Sequence, residues 1–260
     1  MKRILKFIKL IIDTIFFDPF KLLFNILSRW RALPYYFRNI FLYSKLNKTS
    51  FRIKTLNLLP VLTDRFAKAG FIGGHYFFQD LWAANYLYDN NIREIIDIGS
   101  RIDGYIVHIL SFCKVTYIDI RDSESFHPNF VFKKGSIMEL PYSDSTLKYI
   151  SCLHVIEHIG LGRYNDPIEP DGHIKAAKEI ERVLAQGGTL LIGTPVGKQA
   201  LYFDGHRVFD PATILEIFPS MILQEFSLID DNGDRIIRNA SFETARKCKY
   251  GCGLFILIKK

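Results

Sequence analysis

The run Ile95-Ile-Asp-Ile-Gly-Ser-Arg-Ile-Asp-Gly104 is an apolar segment that stops at an acid and a glycine, and Val115-Thr-Tyr-Ile-Asp119 is a second apolar segment that stops at another acid. Asp119 follows Asp97 by 22 residues, room for one strand, a tight turn, a short helix and a second strand. In an open α/β sheet the first strand hands over to its helix through a turn whose small residues let a ligand approach the backbone. The second strand then ends in a carboxylate able to accept hydrogen bonds from both hydroxyls of a ribose. Asp97, Gly99, Ser100 and Asp119 are therefore candidate binding residues.

The turn departs from the dinucleotide pattern G-x-G-x-x-G, because Arg101 stands where the second glycine would be. An arginine there disfavours a pyrophosphate lying on bare backbone, yet can pair with a carboxylate, as of a methionine moiety. The expected ligand carries a ribose and a carboxylate but no phosphate.

Outward from this turn, strands and helices alternate. Strands are expected at Arg93 to Ile98, Lys114 to Asp119, Phe130 to Phe132, Tyr149 to Leu153 and Thr189 to Gly193. Helices are expected at Gln79 to Asp89, Asp103 to Phe112 and Lys175 to Leu184. That alternation implies a parallel, doubly wound sheet. Ile222 to Leu228 and Leu254 to Ile258 read as two further strands.

Gly135-Ser-Ile-Met-Glu-Leu-Pro-Tyr142, Leu147 to His158, and Ile174 to Gly193 with its Glu179-Ile-Glu-Arg-Val-Leu-Ala-Gln-Gly-Gly188 follow in order. With the first turn, these four motifs resemble the class I S-adenosylmethionine-dependent methyltransferases, and the type-11 methyltransferases among them. The segments Tyr76 to Asp80 and Gly160 to Pro167 look like an uncharacterised branch found among cell-surface polysaccharide genes. The resemblance implies a Rossmann-like, mostly parallel seven-stranded sheet whose last strand is antiparallel, and S-adenosyl-L-methionine as cofactor. It implies that Asp119 binds the cofactor ribose, that Gly99 admits the methionine moiety, and that Ser136 and Ile137 flank the adenine. Asp97, Ser100, Arg101 and His154 complete the expected cofactor contacts. The family often has an acid where Ser136 stands, so recognition of the adenine edge there falls to the backbone.

Transfer of a methyl group to a hydroxyl needs a base to take up the proton, and histidine titrates near working pH. His154, His158 and His206 are the candidates, the last in Phe203-Asp-Gly-His-Arg-Val-Phe209 after the fifth strand; the alternative for each is a structural, hydrogen-bonded histidine. Glu157, Arg163 and Arg207 are candidate acceptor contacts, the arginines as planar forks for phosphate or carboxylate. His154-Val-Ile-Glu-His158 also matches H-x-x-E-H, which places two zinc ligands on one helix face. That reading requires a helix around the motif and a third ligand, whereas the preceding Tyr149 to Leu153 reads as a buried strand emptying into His154, and no metal is assigned. Arg163 to His173 is a polar, proline-punctuated loop: an acceptor lid, a cation site of Asp166, Glu169 and Asp171, or a solvated connection in which Asp171 caps the next helix. Cys248 and Cys252 read as ordinary buried or edge-strand residues.

The chain of 260 residues is 48% hydrophobic, enough for a sizeable core. Four cysteines and no cleavable signal pattern favour a reducing, cytoplasmic setting. Residues 1–54 hold 12 Lys or Arg against Asp13 and Asp18, a net +10, and the remainder carries 22 basic against 25 acidic groups, a net −3. A uniformly basic protein would have pointed to nucleic acid; this asymmetry points to a surface-binding arm. Residues 1–54 are expected to form a basic helical extension and 55–260 the methyltransferase-like domain. Ile4, Leu5, Ile8, Ile11, Ile12, Ile15 and Phe16 line one helix face with Lys2, Lys6 and Lys9 opposite; further helical segments run from Phe20 to Leu33, stopping at Pro34, and from Tyr35 to Leu46. The pattern suits helices lying in the headgroup layer of an anionic membrane, at its inner face, or packed on the core.

The leading expectation is a methyltransferase acting on a small or glycan-type acceptor, in cell-surface polysaccharide biosynthesis. A non-catalytic, cofactor-binding or membrane-docking partner with a degenerate methyltransferase fold is the alternative, and a zinc hydrolase the third.

Overall fold

The computed structural model describes residues 19–124 and 126–260. The chain divides between Phe71 and Ile72 into two compact units. The amphipathic segment from Ile4 to Phe16 lies outside the described residues.

In the first unit one helix, α1 (Pro19–Leu46), runs through Pro34. The sequence leads one to expect a stop there. Proline removes the hydrogen bond to the carbonyl four residues back, that of Trp30, and its ring crowds that carbonyl; Trp30 is exposed, so water can take the place of the lost donor. A 3-10 turn at Asp64–Phe66 folds back on this helix. Phe66 meets Tyr35 edge-on at 6.0 Å, Arg31 lies 4.5 Å over Phe66, and Arg65 lies 4.3 Å over Tyr35. No described helix is long and apolar enough to cross a membrane.

The second unit is a seven-stranded sheet flanked by helices. Its elements are α2 (Gly74–Asp89), β1 (Glu94–Ile98), a π-turn (Ile102–Ile106) running into a single α-turn (Val107–Ile109), β2 (Lys114–Asp119), β3 (Phe130–Lys134) and β4 (Leu147–Leu153). They continue with α3 (Gly172–Val183), β5 (Leu184–Val196), a small hairpin of β6 (Ala200–Tyr202) and β7 (His206–Val208), α4 (Pro211–Ile217), β8 (Met221–Ile229), α5 (Phe242–Arg246) and β9 (Gly251–Lys259). The strand order is β3-β2-β1-β4-β5-β9-β8. β1, β2, β3, β4 and β5 pair in parallel, and β9 runs antiparallel to both β5 and β8. This is the doubly wound, mostly parallel sheet of the class I methyltransferase fold, with the last strand reversed as expected.

Strand periodicity explains the two-sided core. Leu190 and Ile192 of β5 pack with Ile150, Ile180 and Phe255 in one apolar cluster, and Leu191 between them packs with Trp82, Leu87 and Ile95 in the other. The Gly-Gly turn expected before the fifth strand is instead taken into β5. Gly187 at φ +72° makes an irregularity, after which Tyr149 pairs with Thr189.

The helix expected from Asp103 to Phe112 is shorter and begins as a widened π-turn. Gly104 sits there against the buried Asp80 of α2, so close that an added Cβ would strike its carboxylate. Widened turns of this kind are common beside functional sites.

Candidate functional site

The carboxyl ends of β1, β2 and β4 open into a cleft of about 640 Å³, of the size that holds a small molecule. Its walls include Gly99, Asp119, Arg121, Glu157, His158 and Tyr164. A narrower cavity of about 180 Å³ shares Gly99, Asp119 and Tyr164 with it and is otherwise lined mainly by apolar side chains, among them Ile118, Ile137, Met138 and Val155, together with Ser136. Four of the residues by which the sequence anticipates the cofactor, Gly99, Asp119, Ser136 and Ile137, thus converge on one place.

The β1 turn is built from the inside. Asp97 is fully buried and does not reach the cleft; its carboxylate accepts from Ser100 N at 3.0 Å, Ser100 Oγ at 2.7 Å and Ser151 Oγ at 2.6 Å. Ser100 Oγ accepts in turn from Leu153 N at 3.1 Å. Asp97, expected among the cofactor contacts, therefore positions the turn and ties β1 to β4. Burial pushes its carboxyl up to about 7, against the lowering pull of the two serines. Gly99 turns at φ +66°, and an added Cβ would stand 3.2 Å from Val155 Cγ1, tighter than an ordinary contact.

Asp119 ends β2 with a buried carboxylate that is already engaged. Arg121 forks onto it through Nε at 2.9 Å and Nη2 at 2.6 Å, its own backbone N–H donates at 2.8 Å, and the Tyr117 hydroxyl donates at 3.0 Å. Burial pushes this carboxyl up, but the Arg121 fork and backbone N–H outweigh it and hold the acid below the usual carboxylate range. The Arg121 guanidinium also lies 4.6 Å over the Tyr164 ring. Sequence reasoning missed Arg121 and Tyr164; the spacing Asp119-x-Arg121 was the one signal on offer. Arg101 lines the cleft, but its fork is held by Asp103 at 2.6 and 3.0 Å.

At the end of β4 the backbone of His154 is left-handed, φ +55°, and Ile156–His158 form a 3-10 turn. The helix that H-x-x-E-H requires is absent, and the zinc hydrolase reading with it: His154 and His158 converge on Glu157 rather than on a shared ion. His154 Nδ1 lies 2.7 Å from Glu157 Oε1, and His158 Nε2 lies 3.7 Å from the same oxygen. Glu157 is wholly buried and accepts from Thr194 Oγ1 at 3.3 Å, so it organises the site and does not reach far into it. Burial opposes its ionisation, but the two histidines outweigh burial and lower its pKa.

His158 Nδ1 stands 2.6 Å from the Gly205 carbonyl oxygen, so that nitrogen carries the proton and Nε2 keeps its lone pair. Burial lowers the pKa of His158, and the neighbouring Arg163 guanidinium adds to this. His206, on β7, lies between Tyr202 at 5.1 Å and Tyr250 at 4.9 Å and reaches the same cleft. All three candidate histidines are thus brought together.

Arg163 reaches the cleft and donates to the Gly205 carbonyl at 3.0 Å. Arg207, expected to grip an acceptor, is spent on the loop instead: it donates to the carbonyls of Ile159 at 2.8 Å, Pro170 at 3.1 Å and Glu157 at 3.4 Å. No backbone N–H of the described residues donates to those three carbonyls, which is why the fork is drawn there. Asp166 is likewise spent, accepting from Gly160 N at 2.9 Å and Tyr164 N at 3.1 Å. Glu169 and Asp171 both pair with Lys175, at 2.9 and 3.4 Å, so the expected cap is lost: Asp171 stands at the start of α3 with no side-chain capping bond.

Residues 131–249 match a family described as a Caenorhabditis protein of unknown function, DUF268. No curated protein has a significantly similar sequence. Among solved structures, the fold is similar to that of the 4+2 cyclase SpnF, at 14% identity and a TM-score of 0.50, over 68% of this chain and 80% of that one. It is also similar to the 1,6-didemethyltoxoflavin-N1-methyltransferase of Burkholderia thailandensis, solved with bound 1,6-didemethyltoxoflavin and S-adenosylhomocysteine, at 13% identity and a TM-score of 0.50, over 70% of this chain and 78% of that one. A cyclase and a methyltransferase on one architecture leave the reaction to be argued from the site.

Proposed function

We propose that this protein is an S-adenosylmethionine-dependent methyltransferase acting on a small or glycan-type acceptor. The observation that carries the reading is the pair of joined cavities, one apolar and one polar, meeting at Gly99 and at the acid that ends β2. The residues fit the cofactor. Ile118, Ile137, Met138 and Val155 offer an apolar slot for adenine, Gly99 leaves the space a side chain would fill, and Asp119 is the acid for the ribose hydroxyls once the Arg121 fork swings away. Arg101 is the nearby cation for a carboxylate.

When bound, the cofactor supplies an electrophilic methyl group on a sulfonium sulfur. The protein then has to align an acceptor and remove its proton. His158 is suited to removing the proton, because the Gly205 carbonyl holds the ring hydrogen on Nδ1 and leaves Nε2 open as a base. Tyr76, Tyr164, Tyr250 and His206 line the large cleft with flat faces and polar edges, which suits a polyhydroxylated or aromatic ring. A glycan acceptor would agree with a role in cell-surface polysaccharide biosynthesis. The +10 charge of residues 1–54 and the exposed Trp30, Phe37, Phe41 and Leu46 on α1 support docking at an anionic, cytoplasm-facing membrane surface.

Calorimetry with S-adenosylmethionine tests the reading, comparing wild type with Asp119→Ala. We expect micromolar affinity, about −8 kcal/mol, in the wild type and its loss in the variant. The second reading, a cofactor-free docking partner, is favoured by one feature, the bidentate closure of Arg121 on Asp119. Folded wild-type protein that binds no cofactor would make it the better account.

A further inference from the structure

We infer a metal site for one zinc-class divalent cation, held by His75, His154 and Cys252. The three residues lie far apart in sequence, on α2, at the end of β4 and on β9, yet their ligating atoms all fall within 4.8 Å of one another. Zinc binds imidazole nitrogen at about 2.0–2.1 Å and thiolate sulfur at about 2.3 Å, so the tetrahedral pairs of this ligand set are about 3.3–3.6 Å apart; closing on an ion asks movements of about 1 Å.

The surroundings have the form of a metal site. His154 Nδ1 is taken by Glu157 at 2.7 Å, which in the neutral ring leaves the lone pair on Nε2, and Nε2 is buried without a hydrogen-bond partner among the described residues. A histidine whose far nitrogen is oriented by a carboxylate and whose near nitrogen is free is the arrangement in which imidazoles ligate metals. The left-handed backbone at His154 is a cost that persists where a site requires the side chain in one place. His75 and His154 stack with planes 6° apart and centroids at 5.5 Å. Cys252 is fully buried on an interior strand, its Sγ 3.7 Å from Gln79 Oε1.

Charge agrees. A divalent ion would deprotonate the thiol and be balanced by that thiolate together with the Glu157 carboxylate behind His154. Two imidazoles and one thiolate suit a borderline-soft ion and argue against calcium or magnesium, which take oxygen ligands. Three protein ligands leave a fourth position open, the pattern of catalytic rather than closed structural zinc. His154 also lines the large cleft, so the ion would sit in its wall, whatever reaction the cleft carries out.

The test is a cobalt(II) titration of the full chain after chelator stripping, followed by absorbance. We expect saturation at one equivalent, tetrahedral cobalt bands with a thiolate charge-transfer band, and displacement of both by zinc. Cys252→Ser should remove the charge-transfer band, while Cys248→Ser should keep it. His75→Gln, at a partly exposed position, should weaken cobalt at least tenfold with far-ultraviolet dichroism unchanged, which keeps the test open if the buried cysteine variant does not fold. No saturable cobalt binding, or a charge-transfer band that survives Cys252→Ser or is lost with Cys248→Ser, would overturn the proposal. Methyl transfer is not read in any arm, so failure of the functional reading leaves this result standing.

Discussion

Arg121 is the residue whose behaviour separates a working pocket from a closed one. Its fork occupies the Asp119 oxygens that a ribose would need. Arg121→Ala should therefore tighten S-adenosylmethionine binding several-fold by calorimetry; weaker binding would mean that the arginine itself contacts the ligand. Asp97 gives a second handle through linkage. Its carboxyl is raised from 3.8 to about 7 by burial, so the folded protein keeps a proton that the unfolded chain sheds. Below both values the group is neutral in each state and has no effect. As pH rises from about 4 to about 7, it removes stability, up to about 4 kcal/mol in all. Chemical denaturation of Asp97→Asn should show a flatter pH dependence over that window than wild type. Asp97 and Asp119 were both legible as the acids of two strand ends. Arg121, Tyr164 and the diversion of Arg207 to loop carbonyls were not, because what a long side chain pairs with is set by the groups that folding leaves unpaired around it.

At the scale of elements, β2 coincides with its apolar run from Lys114 to Asp119, and α2 begins five residues before the expected Gln79. Period-two alternation and a polar boundary mark a strand locally. A helix end depends on what its first turn meets, and here Gly74 donates to the Gly233 carbonyl at 2.7 Å from a distant turn. The π-turn before Val107 had no sequence signal of its own, since Gly104 reads equally as the end of a turn. Two substitutions probe the elements that carry the cleft. Ile180→Ala on α3, at a side chain with no exposure, should cost about 2–5 kcal/mol in denaturant unfolding. Gly160→Ala should cost at least about 1–3 kcal/mol, because the residue turns at φ +78° and its new Cβ would strike the Glu169 carbonyl. Measured beside Ile180→Ala, it should also disturb cofactor or acceptor binding, since the 159–170 loop carries Arg163 and Tyr164; an unaltered cleft would show the loop to be independent of the site.

Over the whole molecule the charge is divided, with +10 on residues 1–54 and −3 on the rest. If the basic arm docks on lipid, the full chain should co-sediment with anionic vesicles at low salt, release as salt rises and ignore neutral vesicles; retention in the supernatant with anionic vesicles at low salt would sink the docking reading. The class of fold, the two strand-end acids, the glycine turn and the uneven charge were all present in local pattern. Each depends on neighbours within one strand, one turn or one helix, where periodicity and residue type suffice. Closure of the sheet alone decided that β9 lies beside β5, that α2 covers them, and that His75, His154 and Cys252 therefore meet. No spacing in the chain encodes that meeting, because residues distant in sequence become neighbours only when the apolar faces of separate elements are buried against one another.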